Sequence, residues 1–175
     1  MRTLITLRLV VAATLVGGLF GGMLDRALVA TPAWRHLGVH AWAEYSRHAD
    51  LGTGYIVYPV CAIVLWALIF AAAVSQYVDR SAPGGTGLPI YLAALFSIGA
   101  ISATIIAAPI MQSVGSLGND PGALQSAFDR FTLWGVYVRG ACFALGFVCT
   151  VWALAVTAAR ARQPSSQPRP GGASS

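Results

Sequence analysis

The sequence predicts an all-α membrane protein: a four-transmembrane-helix bundle with a short extracytoplasmic amphipathic helix between spans 1 and 2. Three observations carry that reading. Charged residues make up only 10% of the chain and hydrophobic ones 57%, at a mean hydropathy of +0.68. A soluble domain carries about 25% charged residues, so this chain has too few to cover a globular surface. Four apolar runs are each long enough to cross a bilayer, which takes roughly 20 residues of helix. The stretches between them hold the glycines, prolines and charges that end helices.

The first span is expected over residues 9–29. Its uncharged stretch, Leu9 to Leu24, is long for the apolar core of a signal peptide, so retention is expected over cleavage. Within it, VGGLFGG sets Gly17 and Gly21, and Gly18 and Gly22, four residues apart. Small residues at that spacing let helix backbones approach closely, inside the bundle or between copies of the chain in a homo-oligomer.

The connection to the second span contains WRHLGVHAWAEYSRHADLG, which holds all three histidines of the chain. An interfacial helix is expected over residues 32–49, with Thr31 as cap and Pro32 in the first turn. Gly38 weakens it by about 1 kcal/mol. On a straight helix His36, His40, Glu44 and His48 follow at four-residue steps, with Arg47 among them. Trp34, Ala41, Trp42, Tyr45 and Ala49 take the opposite side. The histidine row has three readings. It is a solvated amphipathic face, or it supplies a pair of metal ligands, or a histidine such as His40 or His48 acts as a general base. All four residues cannot hold one ion, because His36 and His48 lie about 18 Å apart along such a helix.

The second span is expected over 55–78, the third over 88–114 and the fourth over 131–159. DRSAPGGTG between the second and third spans reads as a turn. The tail, 160–175, is rich in Arg, Pro, Ser and Gly and cannot bury a core, so it is expected to be disordered. Cys61, Cys142 and Cys149 lie inside apolar runs without a C-x-x-C pair, and read as small packing residues.

There is no lysine; eleven arginines against six acids give +5. No basic face interleaved with aromatics appears, so nucleic acid is not an expected partner. Arg2, Arg8, Arg80, Arg160, Arg162 and Arg169 fall on one side of the predicted membrane, and Arg26, Arg35, Arg47 and Arg130 on the other. That bias favours a plasma-membrane protein with both termini in the cytoplasm.

Arg139 stands inside the fourth run, in FTLWGVYVRGACFALGF. An arginine there costs several kcal/mol unless it is partnered or snorkels. Three roles are open: an ion pair that fixes helix register, with Asp25, Asp50 or Asp129 as partner; a contact to a ligand anion; or snorkelling to the interface. Asp25, Tyr58, Trp134 and Tyr137 gather at the same predicted outer side, which outlines a ligand pocket there with Arg139.

In AAPIMQSVGSLGNDPGALQSAFDRFTLWGVYVRGACFALGF, Pro109, Trp134 and Arg139 come in an order that resembles the anthrone-oxygenase-like family of small four-span membrane proteins. The glycine-rich GGLFGG is similar too, and the likeness runs from about residue 10 to 158. Ala107 and Met111 stand where that family tends to have asparagine. The resemblance implies a four-helix membrane bundle. Some relatives are linked to cofactor-independent oxygenation of polyketide anthrones.

Two functions therefore stand side by side. One is a non-enzymatic accessory or lipophilic-ligand-binding bundle with a polar pocket at its outer half. The other is a cofactor-independent or metal-assisted oxygenase acting on a lipophilic aromatic, with Arg139 orienting an anionic oxygen and a histidine removing a proton. A transporter is a weaker third, because the bilayer midplane holds no acidic residue. No cofactor is expected, since phosphate-loop, dinucleotide and haem-attachment motifs are absent. A metal ion enters only through the histidine row. The expected partners are the lipid bilayer, a lipophilic small molecule and a second copy of the chain.

Overall fold

A computed structural model describes residues 2–19, 22–78 and 85–161 of the chain. Nearly all of them are helical, and no strand occurs among them. Helix α1 is Arg2–Leu19 and α2 is Gly22–Asp25. A π-helical turn, Arg26–Ala30, leads into α3, Thr31–Leu37, and α4 follows at Val39–His48. A second π-turn, Ala49–Thr53, feeds α5, Gly54–Val78. Helix α6 is Gly87–Ser113 and α7 is Pro121–Phe131. A third π-turn, Thr132–Val138, joins α7 to α8, Arg139–Ala161, without a break.

Three helical stretches are long and apolar enough to cross a membrane: Val39–Val78, Gly87–Ser113 and Pro121–Ala159. At 1.5 Å per residue α6 alone is about 40 Å long, more than the roughly 30 Å hydrocarbon core. Ile5–Leu15 in α1 is a shorter apolar segment. Helix α1 packs on α5 and α8, and α6 packs on the same two helices.

Their contact surfaces are built from small side chains. Ala13, Ala72, Ala93, Ala100, Ala103 and Ala153 are all buried. In lipid there is little hydrophobic drive between helices, so close backbone approach is what stabilises the contact. Hydroxyls turn inward as well: Thr6 and Ser75 share a hydrogen bond of 2.7 Å between α1 and α5. At the end of the molecule that carries α3, α4 and α7 the core changes character. There Trp34, Trp42, Leu124, Phe128, Phe131 and Met111 form one large-residue cluster.

The expected single helix over 32–49 is two helices. Gly38 breaks it, with φ 94° and ψ 161°. That backbone region is essentially closed to residues with a Cβ. His36 consequently lies on α3, while His40, Glu44 and His48 lie on α4, so the four do not share one helix face. The buried face of α4 is also rotated from the expected one. Trp42, Ala43 and Ser46 are fully buried, whereas Tyr45 is exposed.

The connection after the third run is mostly helix. Asp120 caps α7 by accepting from the backbone N–H of Gly122 and of Ala123, both at 3.2 Å, and Pro121 occupies the first turn. Arg47 of α4 ties this connection down, donating to the carbonyls of Val114, at 3.3 Å, and Gly118. The turn residues 79–84, the tail beyond Ala161, and Gly21 lie outside the described residues.

Candidate functional site

A cavity of about 220 Å³ lies between α5, α6 and α8, next to the first two π-turns. From α5 come Tyr55, Tyr58, Pro59, Ala62, Ile63 and Trp66, at the three- and four-residue steps of one helix face. From α6 come Thr104, Ala108, Met111 and Gln112, and from α8 Arg139 and Phe143. Met23 and Arg26 close it from the α1 side, Asp50 and Leu51 from above, and Phe131 from the end of α7. Tyr55, Tyr58, Pro59 and Ile63 are exposed, which puts the mouth along α5, on an apolar flank of the molecule.

The charged groups of the wall come from the three π-turns. Arg26 opens the first, Asp50 lies in the second, and Arg139 follows the third. Such turns add a residue to the helical repeat, re-aim the side chains that follow, and occur frequently at functional sites. Each has a local cause. In the first, Thr31 donates both its backbone N–H and its hydroxyl to the carbonyl of Arg26, and Pro32 has no N–H to offer. In the second, Gly52 leaves helical geometry at ψ −120°. In the third, a Cβ on Gly135 would meet the Phe131 ring at 2.6 Å, so only glycine lets that ring lie against the helix.

Arg26 and Asp50 form a bidentate pair across the first two turns: Nη1 donates to Oδ1 at 2.8 Å and Nη2 donates to Oδ2. Both residues are buried. The Arg26 guanidinium also lies 5.5 Å from the Trp34 ring and 5.4 Å from Phe131. Arg139 approaches the same Phe131 ring at 5.9 Å. Its Nε donates to the Gly135 carbonyl at 2.9 Å, and no carboxylate pairs with it among the described residues. Arginine stays protonated in proteins. Two guanidinium groups and one carboxylate therefore leave the cavity wall with one net positive charge, held by Arg139. Deeper in the cavity Trp66 stacks parallel to Phe143 at 6.4 Å, and its buried Nε1 has no hydrogen-bond partner.

Of the residues expected at the site, Arg139 and Tyr58 line the cavity. Asp25 is exposed and does not; its neighbour Arg26 does, because successive residues of a helix point about 100° apart. Trp134 packs on the large-residue cluster, and Tyr137 is exposed. Among the acids weighed as partners for Arg139, Asp50 is held by Arg26 and Asp129 accepts from Gln125 at 3.1 Å. His36, His40 and His48 are exposed and none lines the cavity. His48, with a side chain 79% exposed, bonds Glu44 at 2.9 Å. No group of three or more His, Cys, Asp or Glu able to hold a metal ion occurs among the described residues. In the glycine-rich stretch Gly17 is turned inward against Phe147, while Gly18 faces open space.

Trp66, Phe143, Met23 and Phe131 were not singled out by sequence. Trp66 carried a usable signal, since it lies eight and eleven positions beyond Tyr58 and Tyr55 on one apolar helix. No family model, no curated protein and no solved structure matches this chain. Of Pro109, Trp134 and Arg139, which carry the resemblance to the anthrone-oxygenase-like family, only Arg139 lines the cavity.

Proposed function

We propose that the chain is a small integral protein of the plasma membrane that crosses four times, with both termini cytoplasmic, and that it binds a lipophilic small molecule in the cavity at its outer half. Helix α1, of 18 residues and about 27 Å, is the fourth span. Helices α3 and α4 then form an extracytoplasmic lid. The observation that carries the reading is the cavity itself: about 220 Å³, walled mainly by aromatic and aliphatic side chains, with a single uncompensated cation. An engineered cavity of about 150 Å³ holds benzene, so this one has room for a larger apolar body. Its mouth on an apolar flank suits a ligand arriving from the bilayer.

Binding without catalysis is favoured over oxygenation. A histidine base would have to reach the substrate, and all three histidines are exposed away from the cavity lining. The one carboxylate in the wall, Asp50, is held by Arg26. Self-association through the first helix would use the open side at Gly18, since Gly17 is occupied by Phe147.

Native mass spectrometry of the protein released from its own membranes tests the binding. The expected result is a small-molecule adduct on the wild type that disappears in Ala108→Phe, which fills the cavity. An adduct equally present on both proteins, or on neither, contradicts the reading.

A further inference from the structure

We infer that the ligand is a lipophilic monoanion, with a carboxylate or phosphate head at Arg139 and an apolar body of about eight carbons lying along Phe143 and Trp66. This rests on the cavity reading above and adds to it the charge and the size of the occupant.

The sign of the head follows from the wall. Asp50 spends both oxygens on Arg26. Arg139 spends only Nε, on the Gly135 carbonyl, so its two terminal nitrogens keep their donors for an oxyanion, which a guanidinium can receive with two parallel bonds. Among the described residues no second carboxylate lines the cavity, and its tyrosines, Tyr55 and Tyr58, are neutral phenols at neutral pH, so Arg139 has no paired counter-charge there. A neutral occupant would leave the two terminal nitrogens of Arg139 without an anionic acceptor, which is costly for a cation within an apolar segment.

The place of the body follows from the helix, and its size from the cavity volume. Phe143 lies one turn below Arg139 on α8, about 6 Å deeper, and Trp66 is stacked on it. Beyond that pair the helices close on alanines, among them Ala100 and Ala13. By volume, about 220 Å³, against about 150 Å³ for a cavity that holds the six carbons of benzene, gives room for a body of about eight carbons. The exposed α5 residues at the mouth, Tyr58 and Ile63 among them, are of the kind that face acyl chains, so the ligand enters sideways. One head chemistry has two sources there: a free lipophilic acid, or the phosphate of an anionic phospholipid.

The test uses the full chain in nanodiscs of zwitterionic lipid at neutral pH, titrated with octanoate and with octanol. Tryptophan emission is the readout, and Trp66→Phe identifies the part of the signal that comes from the cavity. Octanoate is expected to saturate the signal at concentrations at least tenfold below octanol. Arg139→Gln is expected to weaken octanoate by roughly tenfold to a hundredfold and leave octanol unchanged, the loss of a bond to a charged group. Arg139→Lys, which keeps the charge and guards against a folding defect in the glutamine variant, is expected to retain the preference for the acid. Repeating the titration in discs containing phosphatidylglycerol separates the sources. Competition with octanoate assigns the head site to a phospholipid phosphate, and no competition assigns it to a free acid. If octanol binds as tightly as octanoate and neither Arg139 variant changes the ratio, the monoanion inference is overturned while the cavity reading stands. If neither compound saturates the wild type, the cavity reading falls with it.

Discussion

Replacing Asp50 by asparagine probes the pair that closes the cavity from above. The substitution is nearly isosteric, so what it removes is charge. Arg26 is then left buried between Trp34 and Phe131, with its Nε already lacking a partner. Removing one member of a buried ion pair typically costs 3–5 kcal/mol, because the remaining charge stays desolvated. For a chain of this size each kcal/mol lowers the melting temperature by about 2–4 °C, so the expected loss is on the order of 10 °C. Circular dichroism melts in nanodiscs measure it. The double variant Arg26→Met with Asp50→Leu is expected to recover most of the loss, since an apolar pair of similar volume replaces a buried ion pair at little cost. A melting temperature for Asp50→Asn within about 2 °C of the wild type, equivalent to under 1 kcal/mol on the same scale, would refute the reasoning. It would mean that Arg26 reaches water and that the pair does not hold the second π-turn to the first.

Three further outcomes are expected. Gly135→Ala drives a Cβ into the Phe131 ring, which must leave its place between the two arginines; octanoate binding should weaken at least tenfold while the overall helix content by circular dichroism is unchanged. Trp66→Phe removes a buried donor that has no partner, so stability should change by less than about 1 kcal/mol, in contrast to the several kcal/mol of an ordinary large core truncation; thermal melts decide between them. Gly38→Ala meets no steric obstacle but forces a side chain into a backbone region reserved for glycine, at a cost of about 1–3 kcal/mol. Hydrogen exchange should then accelerate in α3 and α4 and not in α6.

The long helices were legible because burial in lipid needs only length and hydropathy. The expected spans at 55–78 and 88–114 differ by one residue at a single end from α5 and by one at each end from α6. The helices α3 and α4 were half legible. Thr31–Pro32 and the aromatic pattern announced a helix, yet Gly38, weighed as a mild penalty inside it, ends it through a positive φ that composition does not reveal. The site was the least legible part. Arg139 stood out because charge is rare in an apolar run. Its surroundings did not, since Asp25, Trp134 and Tyr137 were grouped with it by membrane side, which does not say which way a side chain faces around its helix, and three wide turns shift the helical phase nearby. Asp25 and Arg26 are neighbours in sequence, yet only Arg26 faces the wall, a difference of one helical step that the membrane side does not reveal. The histidine row drew attention by its clustering and four-residue spacing, and its three histidines are exposed on α3 and α4.

The central claim is that a lipophilic acid occupies the space between Arg139 and Trp66. Crystals of the protein grown with ω-bromooctanoate test it most directly, because the anomalous signal of bromine marks one end of the ligand. A single bromine peak is expected beside the Trp66–Phe143 stack, with carboxylate density on the Arg139 guanidinium. Bromine peaks confined to the lipid-facing surface of the helices, with the cavity empty or filled by water, would contradict it.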